Sequence, residues 1–431
     1  MIIRLSTAAV RLSIVVLAFV LAAALSYSGI RNALAAHYAG LNTLPGYQHA
    51  ASLEPGDARY WYLLGRYWQY NLTDPDTPRA IRAYQTALGF DVHASDTWLD
   101  LATAYESEGH LSEARSAFLQ AARMYPLSPE VSWRFGNFLI RRGEFDAAVA
   151  QIRHAVEVDP KRAAAAFALG VRFEPDAKTA LEQVLPHNKE AYLTAISTLA
   201  DQQETEQAMV VWSALASLHP QLQVSDSYTL FNALLRKHEV KQAQLVWNQA
   251  LSFSGVTRPP DAPGSLVWDG GFESDIPQGG FTWYYAPFVN GVQVAFDEKE
   301  KHSGKRSLRL TFNGLQNVSF GDVCQYVAVE PSTPYRFSAW VKTHELSTDQ
   351  GVRFAFYARS PSGNTTVWTD DVKGTQPWTQ IEMPWTSPSG VQELRICVTR
   401  VPSSSFDSKI HGSAWIDDVS LVPQAAENPK P

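Results

Sequence analysis

Cysteine is scarce: two residues in 431, Cys324 and Cys397, with no Cys-x-x-Cys pair. A zinc site built on thiolates is therefore not expected. Basic runs are missing too. The 36 Lys and Arg stand against 43 Asp and Glu, a net charge of −7, which leaves no footprint for nucleic acid. The signatures of catalysis are also lacking. There is no His-Glu-x-x-His, no Gly-x-Ser-x-Gly, no phosphate loop and no dinucleotide fingerprint. The acid pairs Asp370-Asp371 and Asp417-Asp418 do not fill the gap. Glycoside hydrolysis needs two carboxyls about 5–10 Å apart across a cleft, whereas neighbours on a strand point to opposite faces. The chain reads as a non-enzyme.

What is present begins with an uncharged run over residues 12–30. At about 1.5 Å per residue it nearly spans a hydrocarbon layer of ~30 Å. Arg4 and Arg11 precede it, which favours residues 1–11 in the cytoplasm and the bulk of the chain outside, periplasmic or extracellular. Residues 12–30 are read as a transmembrane anchor. The alternative is a secretory signal cleaved after Ala33-Leu34-Ala35, a small-x-small site, which would release a secreted protein.

Aromatic residues are abundant, with 13 Trp, 17 Tyr and 20 Phe. Between residues 96 and 129, Trp98, Leu101, Ala102, Tyr105, Gly109, Ala114, Phe118, Ala121 and Pro126 are spaced as a helix–turn–helix repeat requires. This stretch resembles a tetratricopeptide repeat. Ala114 and Ala148 are 34 residues apart and carry the register forward. A first unit centres on Trp61, Gly65, Trp68, Ala80 and Tyr84, after a half-repeat over residues 46–53. The fourth unit is damaged by Glu174-Pro175-Asp176, leaving a stunted second helix over residues 176–185. Fifth and sixth units follow on Ala208 and Ala243, so residues 46–254 are expected to form an all-α solenoid. The resemblance implies a protein-binding groove on the inner face of each first helix. The matching positions are Arg59, Tyr62 and Arg66, then Trp133, Asn137 and Arg141, then Tyr228, Asn232 and Arg236. The corresponding positions of the second unit, Asp96, Leu99, Thr103 and Glu106, are bland.

Three prolines mark residues 255–264 as a stiff linker. Beyond it, helical periodicity gives way to alternation, as in Ser307-Leu-Arg-Leu-Thr-Phe312, Val352-Arg-Phe-Ala-Phe-Tyr357 and Leu394-Arg-Ile-Cys-Val-Thr399. Short alternating strands between turns imply an all-β sandwich. Five landmarks appear in order: Trp268-Asp-Gly-Gly-Phe-Glu273, His302-Ser-Gly-Lys-Arg-Ser-Leu308, Gln325-Tyr-Val-Ala-Val-Glu-Pro331, Tyr335-Arg-Phe-Ser-Ala-Trp-Val-Lys342 and Gly412-Ser-Ala-Trp-Ile-Asp-Asp-Val-Ser-Leu421. Over residues 265–423 this series resembles the jelly-roll carbohydrate-binding modules with a galactose-binding-like fold. The resemblance implies a structural calcium held by Glu273 with Asp417 or Asp418, beside carbonyls near Lys305. It also implies sugar stacking on aromatic rings, with Trp283, Tyr285, Trp340, Arg353, Tyr357, Arg359 and Trp368 as the carbohydrate-binding set, and Tyr284 within the same early aromatic run. Arg353, Tyr357 and Arg359 share one strand face opposite Phe354 and Phe356, and their charge suits an acidic sugar. Trp378, Trp385 and Trp415 read as packing. An exported location permits a Cys324–Cys397 disulfide; two buried thiols are the alternative. Residues 424–431 read as a disordered tail.

The expected function is that of a membrane-anchored adaptor, recruiting a protein through the solenoid and binding polysaccharide through the sandwich, in exopolysaccharide assembly or export. The alternatives are a scaffold without sugar binding and an accessory subunit of a glycan-degrading complex.

Overall fold

A computed structural model describes residues 8–259, 262–275, 278–360 and 363–424. Arg4, two residues of the linker and all but the first residue of the expected tail lie outside the described residues. The chain divides into two compact units, residues 1–170 with 182–186, and residues 171–181 with 187–431. The division falls at the damaged fourth repeat, and the Pro-rich linker lies inside the second unit. The cause is local: helix α9 (Ala163–Val171) stops short of Glu174-Pro175, and only the short α10 (Ala177–Val184) follows.

The first unit is built of helical hairpins: α1 (Ala8–Gly40) with α2 (Leu44–Leu53), α3 (Ala58–Tyr70) with α4 (Thr77–Phe90), α5 (Ser95–Ser107) with α6 (Leu111–Met124), and α7 (Pro129–Arg141) with α8 (Phe145–Val158). Asp57, Asp76 and Ser128 accept N–H groups of the first turns of α3, α4 and α7 at 2.9, 2.9 and 3.3 Å, so each helix start is fixed by its own cap. Partner helices approach closely where glycine stands. A Cβ on Gly65 would lie 2.4 Å from the Tyr84 ring, and one on Gly136 would lie 2.7 Å from Ile152. Phe118, Phe135 and Phe138 fill the space between α6 and α7, with Phe118 and Phe135 stacked 5.4 Å apart. The helix that carries the apolar segment does not end at residue 30. It continues through Gly40 as one helix, and Ala35, Tyr38 and Ala39 join the core of the first hairpins.

The second unit opens with α11 (Lys189–Asp201), α12 (Thr205–Ser217), α13 (Tyr228–Arg236) and α14 (Val240–Ser254). Eleven strands follow among the described residues: β1 (Trp283–Tyr284), β2 (Phe288–Val289), β3 (Val292–Asp297), β4 (Ser307–Asn313), β5 (Phe320–Ala328), β6 (Pro334–Leu346), β7 (Arg353–Ser360), β8 (Gly363–Trp368), β9 (Gly374–Thr386), β10 (Glu393–Arg400) and β11 (His411–Pro423). They pair antiparallel in two sheets, ordered β1-β5-β10-β7-β8 and β2-β3-β4-β11-β6-β9. Alternate residues turn inward. Phe337 of the six-stranded sheet meets Phe354 and Phe356 of the five-stranded sheet at 4.8 and 5.0 Å, and all three are fully buried.

The last hairpin packs on the start of the sandwich. Trp247 lies 6.1 Å from Trp268, and Phe231 lies 4.8 Å from Phe281, edge to face. Cβ atoms on Gly279 and Gly280 would lie 2.4 and 2.1 Å from the rings of Tyr228 and Trp247. The linker therefore does not set the sandwich apart. Burial of these rings joins it to the helices before it.

Candidate functional site

The alternation along β7, β10 and β5 decides which side chains leave the core. Phe354, Phe356, Leu394, Ile396, Val323 and Val327 face inward. The register then lays the remaining residues in rows across the outer face of the five-stranded sheet. One row is Thr366, Tyr357, Arg395 and Tyr326; the next is Trp368, Ala355, Cys397, Cys324 and Tyr284. The two cysteines oppose each other in register and are bonded. With Ala355 they form a floor of small, buried side chains. Aromatic rings stand around it: Trp368 at one end, 51% exposed, and Tyr284 stacked on Tyr326 at 5.9 Å at the other. Four strand spacings separate the two ends, about 19 Å. The Arg395 guanidinium lies 4.7 Å over the Tyr357 ring.

Polar groups complete this face. Arg353 pairs with Asp371 at 3.1 Å and donates to Gln350 at 2.7 Å, while its buried Nε has no partner among the described residues. Glu393 stands opposite Arg359. Burial pushes the Glu393 carboxyl up, against the pull of Arg359 and Arg395, and its Oε2 is buried without a hydrogen bond among the described residues. A buried unpaired oxygen is costly. Burial likewise pushes the Tyr284 phenol up, and Tyr326 adds to the effect.

Of the residues expected to bind sugar, Arg353, Tyr357, Arg359 and Trp368 are brought together here. Three others are elsewhere. Trp283 is fully buried, with its ring N–H donated to the Asp269 carbonyl at 3.1 Å, so no face of it is free to stack. Tyr285 packs edge-on to Phe296 at 5.4 Å beside the core. Trp340 belongs to β6 in the other sheet, where it stacks on His302 at 3.9 Å with Trp378 at the edge of that imidazole. Tyr326, Glu393 and Arg395 share this face with them, and the alternation of Leu394, Arg395, Ile396 and Cys397 places Arg395 outward.

The carboxylates at the opening of the sandwich form a second cluster. Both oxygens of Glu273 accept the Lys305 N–H at 2.8 Å. Asp417, wholly buried, accepts from the N–H groups of His302 and Ser303 at 2.8 and 3.1 Å. A Cβ on Gly271 would lie 3.6 Å from Asp417 Oδ1 and 3.6 Å from Glu273 Oε1, so the two carboxylates flank one point. Asp418, with φ at +48°, is turned away to His302 at 2.7 Å and Ser303 at 2.7 Å. Burial pushes the Asp417 carboxyl up to about 6 despite its N–H donors. Among the described residues no three acidic, His or Cys side chains converge. Glu273 and Asp417 thus bring two carboxylates to one point at the opening of the sandwich.

The solenoid positions are more fully engaged than expected. Asp100, which the repeat pattern did not single out, accepts from Tyr62 at 3.1 Å, Tyr70 at 3.4 Å and Arg134 at 3.1 Å, with Arg66 at 3.8 Å. Arg141 binds Glu106 through two bonds of 2.7 and 2.8 Å, and Arg59 pairs with Asp57. Asn137 donates to the Trp133 carbonyl at 2.8 Å, and Arg162 lies 5.5 Å over the Trp133 ring. Tyr228 is covered by Gly279, whereas Asn232 and Arg236 stay exposed.

Two family models match. A carbohydrate binding domain matches residues 264–404, and a tetratricopeptide repeat matches residues 95–126. Neither is a catalytic domain, and together they support sugar binding and protein interaction. No curated protein matches the chain. Among solved structures, the chain is similar to the CBM22-1–GH10 modules of Clostridium thermocellum xylanase 10B complexed with xylohexaose, at 16% identity over 38% of this chain and 29% of that one, with a TM-score of 0.28. It is similar to the CBM22-1 xylan-binding domain of Paenibacillus barcinonensis Xyn10C, at 18% identity over 39% of this chain and 99% of that one, with a TM-score of 0.26. It is also similar to YrrB, a repeat protein with an unusual peptide-binding site, at 15% identity over 50% of this chain and 95% of that one, with a TM-score of 0.27.

Proposed function

We propose that this protein is a membrane-anchored adaptor that binds an extended polysaccharide on the outer face of its five-stranded sheet and a protein partner through its helical repeats. The observation that carries the sugar reading is the floor of Ala355 and the Cys324–Cys397 disulfide between the rings of Trp368, Tyr357, Tyr326 and Tyr284. Aromatic rings pack on the apolar faces of pyranoses, and the polar side chains beside them hydrogen-bond hydroxyls. The face is about 19 Å across, enough for several sugar rings. Arg359 and Arg395 favour a glycan that carries carboxylates. The match of residues 264–404 to a carbohydrate binding domain supports this reading.

The apolar helix α1 is long and apolar enough to cross a membrane. With Arg11 just before its uncharged run over residues 12–30, the repeats and the sandwich lie outside the cytoplasm. A role in exopolysaccharide assembly or export suits a chain that joins an anchor, a repeat array and a glycan face. Glu273 and Asp417 would hold a calcium ion, which would tie the start of the sandwich to its last strand and neutralise the buried Asp417 charge.

A glycan array probed with the detergent-solubilised full chain tests the sugar reading. Binding to an acidic polysaccharide, lost in Tyr357→Ala, supports it. No binding to any glycan in the presence of calcium would sink it and leave a protein-interaction scaffold. Calorimetric titration with calcium tests the cation site, and loss of the heat in Glu273→Ala is the expected result.

A further inference from the structure

The apolar segment and the first repeat share one helix. From residue 10 to residue 30 the large side chains of α1 are exposed on all sides, with Leu12 at 66%, Phe19 at 75%, Leu25 at 72% and Ile30 at 62%. The character changes within one turn. Arg31 donates to both oxygens of Glu54 at 2.8 and 3.0 Å, and its guanidinium lies 5.9 Å from the Tyr27 ring. Ala35 is fully buried, and Tyr38 and Ala39 pack beside it with Tyr47, Ala50 and Tyr60. The backbone stays helical throughout, from Ala8 to Gly40.

We propose that α1 is an uncleaved membrane anchor whose last turns are the first helix of the solenoid, so that the repeat array is held against the lipid headgroups with no linker. The proposal deepens the anchored reading above and rests on it. A helix that is apolar all round has no protein face to bury. Its occupant is the hydrocarbon of a bilayer, because 19 uncharged residues rise about 28 Å. Tyr27 and Arg31 then fall at the headgroup level, where aromatic and basic side chains are at home.

The same geometry opposes processing at Ala33-Leu34-Ala35. A protease takes its substrate extended, and no Gly or Pro between Arg31 and His37 breaks the helix there. Cleavage after Ala35 would remove the Arg31 partner of Glu54 and strip Ala35 from the core, uncovering Tyr47 and Tyr60.

The test is the intact mass and location of the full chain expressed in a bacterial host, with membranes washed in alkaline carbonate. A 47.8 kDa chain retained in the membranes is expected for the wild type and for Ala33→Leu, which alters the small-x-small site at an exposed position. A shorter wild-type chain beginning at Ala36, restored to full length by Ala33→Leu, would overturn the proposal. A full-length chain in the soluble fraction would overturn the anchor itself, and neither outcome bears on the glycan array. Ala35→Asp tests the junction: it is expected to lower the melting midpoint of the solubilised chain by roughly 4 °C or more, and an unchanged midpoint would show that Ala35 is not in the core.

Discussion

The inner face of the solenoid and the outer face of the five-stranded sheet carry the same residue types, arginines beside tyrosines with an acid among them, and use them differently. On the solenoid the acid is at the centre and is shared out. Asp100 collects Tyr62, Tyr70, Arg134 and Arg66, while Glu106 takes Arg141 and Asp57 takes Arg59. On the sheet the partners are left incomplete. Arg359 and Trp368 are exposed, and Glu393 and Arg353 each bury an atom with no hydrogen bond among the described residues. A polar network that satisfies itself rigidifies the helices that carry it. A surface that leaves Arg359 and Trp368 exposed keeps groups that a ligand can reach. The same chemistry therefore reads as scaffold in one region and as a site in the other.

Two substitutions test that division through stability, and they carry the largest expected effects. Replacing Cys324 and Cys397 together by serine removes a crosslink between residues 73 apart, which costs about 4 kcal/mol by chain entropy. Denaturant melts of the full chain should show the sandwich transition moving by that amount. A shift under about 1 kcal/mol would mean that the disulfide holds nothing. In the other unit, Asp100→Ala leaves Arg134 facing a buried gap and should cost about 3 kcal/mol. An unchanged helical transition would show that the network is incidental, and the inner face would then be open to a partner after all.

Much of this was legible in the sequence, and the failures have physical causes. The repeat register, the damage at Glu174-Pro175 and the inward–outward alternation of β7 follow from spacing, because glycine, alanine and proline act locally. Asp100 was invisible: it sits one position from the groove set, and its partners come from two other helices, α3 and α7. The burial of Trp283 was hidden because a two-residue strand has no period to read, so its ring and that of Tyr284 could not be told apart. Trp340 alternates correctly on β6, but sequence does not say which of two sheets a strand joins. The packing of Trp247 on Trp268 was masked by a proline-rich linker that looks like a boundary.

A third test concerns the buried charge at Asp417 and works through pH. Its carboxyl is raised to about 6, above an unfolded value near 3.9. A raised acid binds more protons folded than unfolded, so without a cation stability falls as pH rises from about 4 to 6. At neutral pH the penalty is about 3 kcal/mol. A bound calcium offsets that charge. The calcium-induced rise in melting temperature should therefore be largest at pH 7 and shrink towards pH 5. A rise independent of pH would place the cation elsewhere.

The smallest stability effect is the one that separates site from scaffold most sharply. Trp368 is half exposed at the end of an edge strand, so Trp368→Ala should shift stability by less than about 1 kcal/mol. If its ring is a platform, the same change removes one stacking contact and weakens glycan binding roughly tenfold. Trp340→Ala is the control from the opposite sheet. It breaks the stack on His302 and should lower stability while leaving glycan affinity where it was. Isothermal titration of the two variants against one glycan reads both outcomes. If Trp340→Ala is the variant that loses binding, the ligand sits on the six-stranded sheet, and the unmet groups around Glu393 have another purpose.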